Sequence, residues 1–295
     1  MPGGSRTIDV TSPVEEDKVW LITGCSSGMG RDIAFEALER GYRVITSARN
    51  PSTLDEFVER FPERARAIRL DVTEEKEVEA AFAYTLRSFG QLDVLVNNAG
   101  YGYLAAIEEG EDEDVRAMFE TNFWGTLAMT KAVLPHMRGR RSGQIINNSS
   151  QAGLMSKPGT GYYSMTKYAV EALSEALVEE LAPWEIKVTA IEAGPFRTDW
   201  AGRSMKRTRS PIEDYGETVH ARLAVIDELD GHQLGDPKRA ARAIVDLARC
   251  EAPPRQLLMS RVVLDAYRTK LEAVRTSLDE WEEVTLETDF PPEEE

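Results

Sequence analysis

Two cysteines in 295 residues, Cys25 and Cys250, are too few and too far apart for a disulfide framework, and such scarcity fits a reducing compartment. The three histidines, His136, His220 and His232, have no metal-ligand spacing to one another or to a cysteine, so no metal site is expected. No stretch approaches the roughly 20 apolar residues of a bilayer span. Residues 1–18 hold no apolar run of the kind that forms a secretion signal. A cytoplasmic protein without a membrane span is the expectation.

Basic charge is also scarce, with 35 basic against 51 acidic side chains and a formal net charge of −16. The ends carry most of the excess: residues 1–17 sum to −3, and residues 279–295 hold nine acids and no base. The body between them is only mildly acidic, and the ends read as solvated, mobile extensions over 1–17 and 282–295. Nucleic acid is excluded as a partner, because the one dense basic cluster, Arg203, Lys206, Arg207 and Arg209, is too small for a phosphate-binding face.

What is present is regular alternation of short β-branched runs with amphipathic helical patterns. Strands are read at Val19–Thr23, Val44–Ser47, Ala67–Leu70, Val94–Val96, Gln144–Asn147 and Val188–Ile191, with a short seventh near Gln256–Met259. Several are continuous apolar runs, as expected for strands covered on both faces. Helices fit between them at Arg31–Arg40, Glu74–Phe89, Asp112–Met137 and Ser164–Leu181. The pattern specifies an α/β fold with a doubly wound, parallel, seven-stranded sheet, a single Rossmann-type domain over residues 18–281.

Directly after the first strand comes Thr23-Gly24-Cys25-Ser26-Ser27-Gly28-Met29-Gly30, followed by a helical pattern. Glycines at a strand-to-helix turn let backbone N–H groups approach a pyrophosphate at a helix N-terminus, where the dipole favours an anion. After the fourth strand stands Asn97-Asn98-Ala99-Gly100, and on a later helix Tyr163-Ser164-Met165-Thr166-Lys167. Ser150 ends the fifth strand, and Asn122 lies upstream in Thr121-Asn122-Phe123-Trp124-Gly125. These motifs, in this order, resemble the short-chain dehydrogenase/reductase family. The segment Glu192–Asp199 is similar to that of its subgroup resembling 17β-hydroxysteroid dehydrogenase, a likeness of sequence that does not establish a steroid substrate.

The resemblance implies a catalytic tetrad of Asn122, Ser150, Tyr163 and Lys167. A phenol of pKa about 10 shuttles protons poorly at neutral pH unless a cation steadies its phenolate. Residues four apart share a helix face, so the Lys167 ammonium is placed to lower the pKa of Tyr163. The family pattern also gives Lys167 the nicotinamide ribose, Ser150 the substrate oxygen and Asn122 a proton-relaying water. Singly, each residue has a plainer use as a surface, cap or turn residue, and their joint occurrence with the glycine turn carries the reading. Tyr162 has Thr166 four residues on instead of a lysine, and is read as a packing or pocket residue.

The cofactor-binding set implied is Thr23, Gly24, Ser26, Ser27, Gly28, Met29, Gly30, Arg49, Asp71, Val72, Asn98, Ala99, Gly100, Tyr163, Lys167, Gly194, Pro195, Phe196 and Thr198. Asp71 matches the family's adenine contact and Thr198 its carboxamide contact. At the end of the second strand Ala48 stands where NAD-preferring members carry Asp, and Arg49 offers a guanidinium suited to a 2′-phosphate. NADP(H) is therefore the expected cofactor, with NAD(H) second. Two positions depart from the family pattern: Ala193 replaces the usual Pro, and Asn148 stands where an apolar residue is usual.

Substrate residues are expected beyond the carboxyl ends of the later strands, at Gln151, Met155, Pro195, Phe196 and Trp200, with Tyr101, Tyr103 and Leu154 nearby. An apolar, aromatic lining favours a lipophilic ketone or secondary alcohol, the plainer alternative being core packing for about half of these residues. Residues 197–235 match the family's substrate lid, whose basic residues either select an anionic substrate or form a solvated surface. Leu264, Tyr267, Leu271, Val274, Leu278 and Trp281 make a narrow apolar stripe on a last helix over about 262–281, which packs on its own domain or on a partner subunit. A homodimer or homotetramer is implied by the resemblance. Rival readings are an epimerase or dehydratase on the same fold, and a non-enzymatic NADP(H)-binding redox sensor.

Overall fold

The computed structural model describes residues 17–198 and 204–290. Trp200 and Arg203, and the expected N-terminal extension apart from its last residue, lie outside the described residues. In chain order the elements are β1 (Val19–Ile22), α1 (Gly28–Glu39), β2 (Arg43–Ala48), α2 (Asp55–Arg60), β3 (Ala65–Arg69), α3 (Glu75–Phe89), β4 (Val94–Asn97), β5 (Gly102–Leu104), α4 (Asp112–Phe119), α5 (Gly125–Arg140) and β6 (Gly143–Asn148). Then follow α6 (Gly161–Leu181), β7 (Ile186–Ala193), β8 (Met205–Arg207), α7 (Ala221–Glu228), α8 (Pro237–Leu247), β9 (Gln256–Met259) and α9 (Arg261–Leu286).

Seven strands form one parallel sheet in the order β3-β2-β1-β4-β6-β7-β9. Successive residues of a strand face opposite sides, and β1 shows why an uninterrupted apolar run is needed. Trp20 and Ile22 enter the layer against α1 and α8, with Ala34, Leu38, Ile244 and Val245, whereas Leu21 enters the layer against α3, α5 and α6, with Val78, Val133 and Leu177. The order reverses between β1 and β4, so loops leaving the carboxyl ends of β1, β4, β6 and β7 converge on one edge. Among the described residues, no helix is long and apolar enough to cross a membrane.

Three features differ from the sequence expectation. The expected helix Asp112–Met137 is interrupted by a π-turn over Glu120–Trp124 that contains Asn122. One extra residue per turn shifts the helix phase without changing composition, so periodicity does not reveal it. The presumed lid is tied to the body: β8 pairs in parallel with β5, and the buried Glu109 carboxylate accepts the amides of Ala106 and Ile212, each at 2.8 Å, and meets His220 Nε2 at 2.6 Å. Burial works against ionisation of Glu109, but those amides and the imidazole outweigh it and hold the group below the usual carboxylate range. Finally, α9 continues to Leu286, so the expected tail over 282–295 begins as helix.

Candidate active site

The glycine turn sits against the end of β4. Thr23 Oγ1 accepts the backbone N–H groups of Asn98 and Ala99, both at 2.9 Å, and Asn98 Nδ2 donates to the carbonyls of Thr23 (3.0 Å) and Gly24 (3.1 Å). Gly24 has φ +71°, and a Cβ there would lie 2.9 Å from Ala99 Cα. At Gly30 a Cβ would lie 2.3 Å from Asn98 Nδ2 and 2.5 Å from the Gly24 carbonyl. Only glycine lets the turn close this tightly on Asn98. Ser27 caps α1 in extended backbone but makes no side-chain cap bond, which leaves first-turn N–H groups of α1 to point out of the turn.

The remaining expected cofactor residues surround this cradle. Met29 packs on the core beneath it, whereas Ser26 is exposed. Val72 is buried against Gly125, and Asp71 Oδ1 accepts Thr73 N (3.1 Å) and Oγ1 (2.8 Å), fixing the turn after β3. Ala48 is buried and Arg49 exposed, with the Arg49 carbonyl held by Arg69 at 3.0 Å and its charge felt by Tyr101. Thr198 approaches from the far side, about 3.6 Å from where a Gly28 Cβ would be. Gly194 N–H donates to the Met259 carbonyl at 3.1 Å, so the half-buried Gly194-Pro195 turn is anchored on β9.

Tyr163 and Lys167 stand one turn apart on α6, both almost fully buried, with Lys167 Nζ 5.7 Å from the phenol ring centre. Ser150 begins a 3₁₀ turn after β6, where its Oγ accepts the Ala152 N–H at 3.1 Å and its hydroxyl is hydrogen-bonded to Tyr163. Lys167 Nζ donates to the Asn148 carbonyl at 2.7 Å. Asn122 is fully buried, its Oδ1 accepting the Tyr101 N–H (3.0 Å) and its Nδ2 donating to the Tyr101 carbonyl (2.9 Å) and Thr166 Oγ1 (3.1 Å). The π-turn thus aims Asn122 at α6, beside Gly100. A Cβ on Gly100 would lie 3.0 Å from Asn122 Oδ1 and 3.8 Å from Lys167 Nζ. All four expected members come together at one edge of the sheet.

The electrostatics differ from expectation. Burial pushes Tyr163 up to about 12, only partly offset by the Ser150 hydrogen bond. Burial likewise pulls Lys167 down to about 8, opposed by the Glu171 charge. Desolvation of the phenolate here outweighs any help from an ammonium whose proton is directed to the Asn148 carbonyl. The side chain of Asn122 is spent on Tyr101 and Thr166, so it positions α6 and the β4 loop instead of offering its amide to a water.

Three functional neighbours were not read from the sequence. Asn148, noted only as a departure, donates through Nδ2 to Asn98 Oδ1 at 3.0 Å and so links the glycine turn to the lysine's acceptor. Glu192, in β7, is fully buried beside Glu171, and neither carboxylate oxygen has a well-aligned donor. Burial and the adjacent Glu171 charge raise it to about 9. Glu171 lies on the Lys167 face of α6 and accepts Gln256 Nε2 at 2.9 Å. The signal was an acid inside the apolar strand Ile186–Ala193 and another four residues after Lys167.

Phe196 and the lid's basic cluster make contacts within the chain. Phe196 bridges to Gly235 and packs on the core beside α8, because only a glycine opposite its ring leaves it room. The described members of the lid's basic cluster are each paired with an acid: Lys206 with Asp114 (2.8 Å), Arg209 with Asp114 (3.2 Å) and Glu111, and Arg207 with Asp227. Gln151 and Met155 stay together after β6, with Gln151 Nε2 at 3.7 Å from Met155 Sδ, and Tyr162 packs on Tyr103 and donates to the Ile107 carbonyl at 2.5 Å.

A parallel doubly wound sheet carrying a glycine cradle and a buried Ser-Tyr-Lys group at its switch point defines an oxidoreductase of the dinucleotide-binding class. Residues 18–209 match the short chain dehydrogenase family, and the chain belongs to that family. It is 36% identical over 270 residues to oxidoreductase BOA17 of Botryotinia fuckeliana, covering 91% of this chain and 98% of that protein. It is 36% identical over 240 residues to 3-ketodihydrosphingosine reductase of Bacteroides thetaiotaomicron, covering 81% and 86% of the two chains. A short-chain dehydrogenase from Streptomyces avermitilis superposes with a TM-score of 0.86 at 40% identity, covering 92% of this chain and all of that one.

Proposed function

We propose that this protein is an NADP(H)-dependent oxidoreductase interconverting a lipophilic ketone and its secondary alcohol, with Tyr163 as general acid/base. The observation that carries the reading is the Ser150–Tyr163 hydrogen bond beside the buried Lys167, at the same sheet edge as the glycine cradle. The cradle fits a dinucleotide: Gly24 and Gly30 leave no room for a Cβ, and the start of α1 offers N–H groups to a pyrophosphate. Ser26, Ser27, Gly28 and Met29 would line the pyrophosphate, Asp71 and Val72 the adenine, Asn98, Ala99 and Gly100 the adjoining ribose, and Gly194, Pro195 and Thr198 the nicotinamide amide. Arg49, exposed beside the small Ala48, supports the phosphorylated cofactor. ElxO, whose structure contains NADP, superposes at 28% identity with a TM-score of 0.71 and supports this choice. The bound nicotinamide supplies or accepts the hydride.

The chain's own residues handle the proton. Ser150 donates its hydroxyl to the substrate oxygen, and Tyr163 delivers its phenolic proton to that oxygen during reduction or removes it during oxidation. Burial of Tyr163 keeps the phenol protonated at neutral pH, which suits the reducing direction. Lys167, poised near pH 8, binds the ribose and restores the phenol's proton, and Asn122 holds α6 against the β4 loop. Gln151, Met155 and Pro195 would line the substrate side, and the sequence pattern alone adds Trp200, which lies outside the described residues. A relative named for a keto substrate, the 3-ketodihydrosphingosine reductase, is in keeping with a long or bulky carbonyl. Residues 18–281 act as one domain, with the described part of 197–235 as a cover over the substrate side that the β5–β8 pair and Glu109 tie to the body.

Separate titration with NADPH and NADH, followed by nicotinamide fluorescence, reads binding. Absorbance at the nicotinamide band, with lipophilic ketones including a steroid ketone, reads turnover. NADPH binding tighter than NADH, with turnover, is the expected result. Tyr163→Phe should keep binding and lose about 10²–10⁴-fold in kcat. Full turnover by that variant refutes the mechanism.

A further inference from the structure

Helix α9 spans 26 residues, about 39 Å, yet only its first part touches the rest of the chain. Val263 is fully buried, and Lys270 Nζ donates to the Leu154 carbonyl and to Tyr168 Oη (2.8 Å). From Leu271 onward every described residue is exposed. The exposed face is not polar. Leu271 is 50%, Val274 45%, Leu278 67% and Trp281 60% exposed, and with Leu264 and Tyr267 they repeat at alternating spacings of three and four. That is a coiled-coil seam of three apolar pairs, half-buried at Tyr267 and bare from Leu271 onward among the described residues.

Charge along α9 is polarised. Arg261, Arg268, Lys270 and Arg275 outnumber Asp265 and Glu272 in the first part, whereas Asp279, Glu280, Glu282, Glu283, Glu287 and Asp289 follow without a base. A parallel neighbour would set the two acidic halves side by side. An antiparallel one sets each acidic half beside a basic half, and it matches the seam to itself: Leu264 opposite Trp281, Tyr267 opposite Leu278, Leu271 opposite Val274. A lipid surface is disfavoured, because interfacial helices carry Lys and Arg along the polar face and this outer half is acidic. Twelve seam side chains, with aromatics covering ~150–250 Å² each when fully buried, bring the contact to the order of the 1,200 Å² at which specific association begins.

We propose that α9 is a self-association surface, joining two copies of this chain through an antiparallel helix pair. The surface is separate from the cofactor cradle, and the proposal does not rest on the oxidoreductase reading.

Light scattering on the full-length chain during size exclusion, at about 50 µM, should give at least a dimeric mass, and Leu271→Glu/Leu278→Glu should halve it. Unchanged helical circular dichroism and NADPH fluorescence in that variant would show that the body is intact. A monomeric wild type, or a variant with unaltered mass, overturns the proposal. Orientation is read in a Cys250→Ala background. Leu264→Cys/Trp281→Cys should form an oxidised covalent dimer, since within one helix the two positions lie about 26 Å apart, beyond disulfide reach. Cross-linking by either single cysteine variant alone would mean parallel helices and overturn the antiparallel pairing.

Discussion

Replacing Glu192 by glutamine should stabilise this protein at neutral pH, although the residue is fully buried at its centre. In the folded chain Glu192 titrates at about 9 against 4.5 for an unperturbed glutamate, because burial and the Glu171 charge both oppose its ionisation. Below about pH 4.5 it is protonated whether folded or unfolded, and its contribution to stability is fully present. As pH rises from there to about 9, the unfolded chain has released a proton that the folded chain still binds, so stability falls by ~1.4 kcal/mol per pH unit. By pH 7 the loss is about 3 kcal/mol. Glutamine has no proton to release, and its amide can take over the hydrogen bond that protonated Glu192 makes with Glu171. The Glu192→Gln variant should therefore match wild type near pH 4.5 and exceed it at pH 7 by about 3 kcal/mol, or roughly 6 °C in Tm. Urea and thermal unfolding at pH 5, 7 and 9 measure this. Parallel pH–stability curves for the two proteins, or a variant weaker at pH 7, would refute the idea that Glu192 is held protonated.

Two further substitutions test the cradle. Gly30→Ala forces a methyl to within 2.3 Å of Asn98 Nδ2, so NADPH affinity should fall at least tenfold in the fluorescence titration, with a stability loss of about 1–3 kcal/mol on urea unfolding. Asn148→Leu removes the donor to Asn98 Oδ1 but keeps the main-chain acceptor of Lys167, so KM for NADPH should rise several-fold while kcat stays within about twofold in steady-state kinetics.

The inner strands of the sheet were legible because each buries both faces, which writes an apolar run into the chain. Strand boundaries shifted by one or two residues, as at Ala65–Arg69, where the expected strand was Ala67–Leu70. The three-residue β5 and β8 were not legible, since their pairing depends on a contact about a hundred residues distant in sequence and not on local pattern. Asn122, Ser150, Tyr163 and Lys167 were found through the resemblance of their motifs to the short-chain dehydrogenase/reductase family, and the structure brings them together. Spacing did not reveal the balance of their charges: the sense of the shift at Tyr163 depends on how much water the fold removes. Nor did it reveal Asn148 or Glu192, whose roles exist only through side chains brought in from other strands.

The hydrogen bonds from Lys167 to Asn148, from Asn148 to Asn98, and from Asn98 to the carbonyls of Thr23 and Gly24 all run in one donor-to-acceptor direction across the ends of β6, β4 and β1. The series is complete only when those three strands, which are separated by long crossovers, lie in register. The glycine turn and the lysine's acceptor are therefore held by a single strand register, and a slip of any one of the three strands would disturb both.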